Sequence, residues 1–432
     1  MLDLELFRTN LQEIIKSEKL RFKDPTNAEK VVEFDNKWRN QKAKLQKLQQ
    51  QRNKLSPQIG RLKTQGKTAE VNKLKLEVKS IKSQIENLEK DVKQLKEERD
   101  KYRYLVGNIL HNSVPIGKSD EDNEILRIVG KQPQFNFKPL SHVELIEIVD
   151  GVNTVKAAEI AGSRFYYLRG DIVLLNLALM KYALDKLISK GYSPLWTPFF
   201  IKYDVIKAAA ELADFEEQLY KVQDEDLYMI ATSEQTLAAF HYDEILNPEI
   251  LPLKYVGVSS CFRREAGSHG KDTLGIFRVH QFEKIEQFIL CRPEESWTFH
   301  EELLLNSEEI FKELEIPYRV VNIASGVLND NAAKKYDLEA WFPGSQTYRE
   351  LVSCSNCLDY QARKLKIRMG KVGSQKEKEI VHTLNSTAIA TERTICCLLE
   401  NYQNQDHSIK IPKVLQKYMN GKKLIESIRK TS

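Results

Sequence analysis

The sequence predicts an α+β protein in which a long antiparallel helical coiled coil precedes a domain of helices and mainly antiparallel strands. Three observations carry this: two adjacent runs with a heptad-like apolar repeat, a change of composition near Gly117, and alternating strand-like segments between Leu253 and Leu290. At 432 residues two or three domains are expected, and a hydrophobic content of 41% suffices for a sizeable core.

The first run places Phe34, Trp38, Gln41, Leu45, Leu48, Arg52, Leu55, Ile59 and Leu62 at steps of four and three. The second continues with Leu74, Val78, Ile81, Ile85, Leu88, Val92, Leu95, Arg99, Tyr102 and Val106. A sustained spacing of about 3.5 residues marks a coiled-coil seam. Between the runs, Thr64-Gln65-Gly66-Lys67-Thr68 can reverse the chain, so the runs should form a hairpin. Pro57 should remove one backbone bond and kink the first helix. From Trp38 to Arg103 there are 19 Lys and Arg against 8 Asp and Glu, in a chain whose net charge is only +5. The remainder is therefore net acidic, and the basic surplus on the hairpin suits a polyanion such as nucleic acid. A coiled coil that binds protein is the alternative. The boundary falls at Ser113-Val114-Pro115-Ile116-Gly117, before the acidic SDEDNE stretch: residues 1–117 form the arm, with its coiled coil over about 28–110, and 118–432 the second domain.

There is no run of roughly 18 apolar residues, and the MLDLELFR start lacks the features of a signal or transit peptide. A soluble, cytoplasmic protein without a membrane partner is expected. Cys354 and Cys357 make a single CxxC with no second pair at zinc spacing, so reduced thiols and no zinc are expected of the six cysteines. No Rossmann or P-loop glycine signature sits at a strand–helix turn.

In the second domain, Asp171–Lys190 reads as a helix, with Leu174, Leu177, Met180, Leu184 and Leu187 at helical spacing. Pro194 to Phe200 reads as an extended edge segment because of its prolines. A strand then runs from Leu253 to Glu265, a loop spans 266–273, and a strand resumes at Gly275 and passes Phe288. Period-2 geometry puts Arg263 and Glu265 on one face of the first strand and Arg278, His280, Phe282, Lys284 and Glu286 on one face of the second. Such a face suits a ligand with phosphates, an amine and a flat ring. A solvated face of surface ion pairs is the alternative.

Cys261-Phe262-Arg263-Arg264-Glu265, followed by GIFRVHQFEKIEQF, resembles motif 2 of the class II aminoacyl-tRNA synthetases in its seryl form. Gly191 to Pro198 resembles motif 1, the dimer-forming segment, and Asn385 to Arg393 resembles motif 3 in its eukaryotic cytosolic version. FPGSQTYRELVSCSNCLDYQARKL is also similar to seryl enzymes, as is the basic hairpin. Ser386, Thr387 and Ala388 stand where bacterial members carry glycines, which indicates the eukaryotic and archaeal branch.

The resemblance implies a serine–tRNA ligase of class II fold, an antiparallel sheet with flanking helices, acting as a homodimer on L-serine, ATP and tRNA(Ser). tRNA(Sec) is a further candidate, and Mg2+ is the implied metal. It implies that Arg263 meets the α-phosphate, Glu265 the adenine amine, Phe282 the adenine ring and Arg393 the γ-phosphate. Arg263, Glu350 and Arg393 would carry catalysis. Arg264, Val279, His280, Gln281, Leu351 and Val352 would complete the ATP site, and Glu350 with Ser353 would hold Mg2+. Thr232, Ser233, Glu234, Glu286, Asn385 and Thr387 would bind serine, with Glu286 on its ammonium. Arg393, read on a helix among Ile389, Ala390, Cys396 and Cys397, needs an anionic partner in any case. An inactive paralogue that only binds tRNA is the rival, and the presence of Arg263, Glu350 and Arg393 argues against it.

Overall fold

The computed structural model describes residues 1–209, 216–266, 274–371 and 378–428, and the chain divides into two units, Met1–Ile109 and Leu110–Ser432. Two short helices, α1 (Leu4–Thr9) and α2 (Leu11–Leu20), open the first unit, and two long ones follow, α3 (Thr26–Thr64) and α4 (Thr68–Leu105). At ~1.5 Å per residue each long helix extends roughly 57 Å. Their reversal is the expected one, with Gly66 at φ +73°, a conformation that costs a glycine little. Leu45, Ile81 and Ile85 are buried in the seam, flanked by Leu48, Leu55, Leu88 and Val92. Nearer its base Phe34 stacks on Tyr102 at 5.6 Å, and the Arg99 guanidinium lies 4.9 Å from the Trp38 ring. Helix α3 runs unbroken through Pro57 as a single 39-residue element.

The second unit is built on one eight-stranded sheet: β1 (Glu124–Val129), β2 (Ser193–Trp196), β3 (Leu253–Phe262), β4 (Gln281–Cys291), β5 (Tyr318–Asn322), β6 (Lys334–Phe342), β7 (Thr347–Asn356) and β8 (His382–Ala390). Their spatial order is β1-β5-β6-β7-β8-β4-β3-β2. Every pairing is antiparallel except β2 on β3, so the proline-bearing segment does form an edge strand. Helix α5 (Gly170–Ser189) buries Ile172, Leu175, Leu179, Ala183 and Leu187, a stripe at helical spacing. That stripe joins Ile285 and Ile289 of β4 in the main core, together with Leu303, Leu304, Ile310 and Phe311 of α7 (Ser296–Glu313) and Ile395 and Leu399 of α8 (Thr391–Asn401). The helices thus cover the odd-numbered face of β4, leaving Phe282, Lys284 and Glu286 on the other.

The motif 2 strands are shorter than their alternation implies. β3 stops at Phe262 and β4 begins only at Gln281, so Arg263, Glu265, Arg278 and His280 lie beyond the ladder. Glu265 adopts φ +51° and Gly275 φ +70°, left-handed conformations that end extended pairing. The intervening loop expected over 266–273 lies outside the described residues from 267 onward. Ile389 and Ala390 end β8, and the helix carrying Arg393 starts at Thr391.

Candidate active site

Phe282, Lys284 and Glu286 of β4 floor a cavity of about 270 Å3. Directly opposite Glu286 on β3 lies Gly257, where a Cβ would come 2.8 Å from Leu237. The glycine therefore lets helix α6 (Ser233–Ala238) lie against this face of the sheet. Thr232 caps that helix, its hydroxyl accepting from the Glu234 amide at 3.1 Å, and both side chains reach the cavity.

Two bulges complete the wall. In β7, Val352 pairs with Leu338 and Glu350 with Glu339, so Leu351 is an extra residue, and Glu350 and Leu351 both line the cavity. In β8, Thr387 pairs with Glu286 and Ile389 with Ile285, leaving Ala388 extra. The facing parity changes there, and Asn385, Thr387 and Ala390 all line the cavity.

One part of the cavity is a compact polar network. The Glu234 carboxylate accepts from Gln361 Nε2 at 2.8 Å and from Asn385 Nδ2 at 3.1 Å. Burial, reinforced by the charge of Glu286 and opposed by Lys284, pushes the Glu234 carboxyl up to about 7. Lys284 Nζ lies 2.6 Å from Thr232 Oγ1 and 2.5 Å from Glu286 Oε2, and Thr387 Oγ1 donates to Glu286 Oε2 at 3.4 Å.

A second part is cationic and aromatic. The Arg263 guanidinium lies 5.1 Å from the Phe282 ring and donates through Nε to the Ala231 carbonyl at 3.2 Å. Arg278 pairs with Glu265 at 3.1 Å. Arg393 finds the anionic partner its position demands in Glu350, 3.5 Å away, and its guanidinium lies 5.1 Å from the Phe277 ring. Enclosure pushes the Glu350 carboxyl up, but Arg393, Lys335 and Arg263 more than offset this and hold it below its ordinary range.

Among the described residues, the cavity wall takes Arg263, Glu265, Val279, Phe282, Glu350, Leu351, Ser353, Arg393, Thr232, Glu234, Glu286, Asn385 and Thr387 from the expected set. It leaves out five expected side chains. Val352 turns into the core as its neighbours turn to the cavity, and Ser233 lies under Gly257. The Arg264 amide binds the Gln218 carbonyl, Gln281 pairs with Phe262, and His280 packs on Phe165 with Nδ1 2.8 Å from the Arg263 carbonyl oxygen. Several wall residues had no assigned role: Phe277, Arg278, Lys284, Lys335, Ser355 and Glu392. For Arg278 and Lys284 the signal was the shared charged face with Phe282. Glu392 is held by Tyr166 Oη at 2.6 Å, and burial together with Glu283 raises its carboxyl well above the usual carboxylate range.

An antiparallel sheet whose face joins arginines, an aromatic platform and a carboxylate network, entered by a helix bearing a further arginine, defines a class II aminoacyl-tRNA synthetase core. Residues 219–402 match the family model of the tRNA synthetase class II core domain (G, H, P, S and T), and residues 1–110 match the seryl-tRNA synthetase N-terminal domain. A serine–tRNA ligase of Methanosphaera stadtmanae is 57% identical over 99% of this chain and 100% of its own length. The cytoplasmic serine–tRNA ligase of Arabidopsis thaliana is 46% identical over 98% of this chain and 95% of its own. The crystal structure of the Pyrococcus horikoshii seryl-tRNA synthetase complexed with ATP has a TM-score of 0.92 at 45% identity, covering 99% of this chain and 100% of that one. The chain belongs to the seryl-tRNA synthetase family.

Proposed function

We propose that this chain is an ATP-dependent serine–tRNA ligase that forms seryl-adenylate and then transfers the seryl group to the 3′ end of tRNA(Ser). What carries the reading is that one cavity holds both sets of groups the reaction needs: Arg263, Phe282 and Arg393 for a nucleotide, and Glu234, Glu286, Asn385 and Thr387 for a small hydroxylated amino acid. No helix among the described residues is long and apolar enough to cross a membrane, and the Arabidopsis relative is called cytoplasmic. A cytoplasmic setting follows in this reading.

Adenine stacks on Phe282, with its amine on Glu265, and the segments 279–282 and 350–353 flank the nucleotide. Arg263 faces the α-phosphate and Arg393 the γ-phosphate. The serine ammonium rests between Glu286 and Glu234, and its hydroxyl meets Asn385 and Thr387. Groups built to pair with a hydroxyl discriminate against amino acids without one, because they would stay buried and unpaired. A serine carboxylate oxygen attacks the α-phosphorus, the bond to the β-phosphate oxygen breaks, and its electron pair leaves with pyrophosphate. The terminal ribose hydroxyl of tRNA then attacks the acyl carbon and AMP departs. Catalysis rests on positioning and on guanidinium charge where phosphate charge develops.

The residues fit Mg2+. Glu350 offers a carboxylate and Ser353 a hydroxyl on one wall, and Asp337, across the ladder from Ser353, keeps Oδ1 buried without a hydrogen-bond partner. Bound there, the ion would neutralise phosphate charge.

The basic hairpin is the tRNA-binding element, within an arm of residues 1–117 serving a catalytic domain of 118–432, and tRNA(Sec) is a second candidate substrate. The protein acts as a homodimer through the segment from Gly191 to Phe200, where Trp196 is 76% exposed beside the edge of the sheet. The direct test incubates the purified chain with labelled serine, ATP and a tRNA(Ser) transcript. Seryl-tRNA with stoichiometric AMP is expected, and transfer without ATP or none at all counts against the reading.

A further inference from the structure

Lys284 is one of the wall residues that the nucleotide and serine assignments leave without a task, and it sits on the floor of the cavity between them. Its side chain is only 8% exposed, and its ammonium is held by Thr232 Oγ1 at 2.6 Å and Glu286 Oε2 at 2.5 Å. Both holders belong to the amino-acid end of the site. On the cavity face of β4 it lies between Phe282 and Glu286, about 7 Å along the strand from each. If Phe282 carries the adenine and Glu286 the ammonium, as proposed above, the new bond between serine and the α-phosphorus forms over the residue between them.

We infer that Lys284 contacts the substrate directly, donating from its ammonium to the serine carboxylate and holding it for attack on the α-phosphorus. Three protons are available on a lysine ammonium, and Thr232 and Glu286 take two. Charge balance points the same way. Glu286 neutralises Lys284 in the free site, but an arriving ammonium shares that carboxylate and leaves the buried lysine under-compensated. The carboxylate of the same zwitterion restores the balance. Arg263 then remains for the phosphate, so the two approaching anions meet separate cations. As the carboxylate oxygen bonds to phosphorus and pyrophosphate leaves with the electron pair of the broken bond, Lys284 follows the acyl oxygen without giving up a proton.

The inference rests on the serine-activating reading, and the test separates the two. Dissociation constants for L-serine and for serinol, which keeps the ammonium and hydroxyl but lacks the carboxylate, are measured by calorimetry on the full chain, the Lys284→Met variant and the Lys284→Arg variant. Serine-dependent ATP–pyrophosphate exchange is measured alongside. Lys284→Met should weaken serine on the order of tenfold or more while serinol changes by less than threefold, because only serine loses a charge-assisted bond. Lys284→Arg should keep the preference for serine over serinol. Exchange by Lys284→Met should fall on the order of a hundredfold. Equal effects on serine and serinol would reduce Lys284 to a counter-ion of Glu286 and overturn the inference while the reading stands. A parent enzyme with no serine-dependent exchange would overturn the reading, and the inference with it.

Discussion

Arg393 Nη1 donates to the backbone carbonyl of Glu350 at 3.2 Å and lies 3.5 Å from the carboxylate of the same residue. The first turn of α8 is thereby tied to β7 beside its bulge, and a cation and a carboxylate both face the place assigned to the outer phosphates. Arg393→Ala should lower kcat/KM for ATP on the order of a hundredfold, since it removes a fixed donor from developing phosphate charge. Exchange kinetics with ATP varied at saturating serine would check this, and a change below threefold would remove Arg393 from the nucleotide site.

Glu234 predicts a pH dependence of both stability and binding. Burial and Glu286 move its carboxyl from an ordinary 4.5 up to about 7. Between those values the folded chain keeps a proton that the unfolded chain has lost, so its contribution to stability falls as pH rises from 4.5 to about 7, then stays level. Glu234→Gln cannot lose that proton. The melting temperature of the variant relative to the parent should therefore be more favourable at pH 8 than at pH 5. Serine kcat/KM in the parent should climb through pH 7 as the carboxylate forms to meet the ammonium. A flat profile from pH 6 to 8 would contradict the assignment.

Trp196 on edge strand β2 is 76% exposed and Phe200, four residues further on, 47%, both within the segment proposed to form the dimer. A two-fold interface buries one such segment against its own copy. Trp196→Glu should shift the mass seen by light scattering at micromolar concentration from dimer to monomer. A parent protein that is already monomeric would refute the dimer.

Replacing residues 39–101 by a short flexible turn removes most of the basic surplus, while every proposed catalytic side chain lies in the second unit. Seryl-adenylate formation should persist within a few fold. Charging of tRNA should fall by orders of magnitude, and residual tRNA affinity should depend less steeply on salt, by roughly 0.7–0.9 in log–log slope per lost phosphate contact. Undiminished charging at physiological salt would rule out the arm as a tRNA-binding element.

The seam from Leu45 to Val92 was legible because coiled-coil packing is written directly in residue spacing. The floor of the site was legible for a similar reason, since Phe282, Lys284 and Glu286 do share a face. What spacing could not convey is where a ladder ends or gains a residue. The bulges at Leu351 and Ala388 change which side chains face the cavity, yet neither residue differs in type from an ordinary strand residue. Arg263 and Arg278 reach the site from irregular backbone, so alternation grouped them for a reason that does not apply beyond Phe262 and before Gln281. Lys335 and Tyr166 come from segments distant in sequence, and long-range pairing in three dimensions leaves no local periodicity to read.

Activation of serine by ATP is the central claim, and ATP–pyrophosphate exchange tests it without tRNA. The purified chain is assayed with each of the twenty amino acids in turn, with Mg2+ and labelled pyrophosphate. Label should enter ATP with serine and stay near background with alanine, glycine and cysteine, which lack the hydroxyl proposed to pair with Asn385 and Thr387. No exchange with serine, or faster exchange with any other amino acid, would contradict the account.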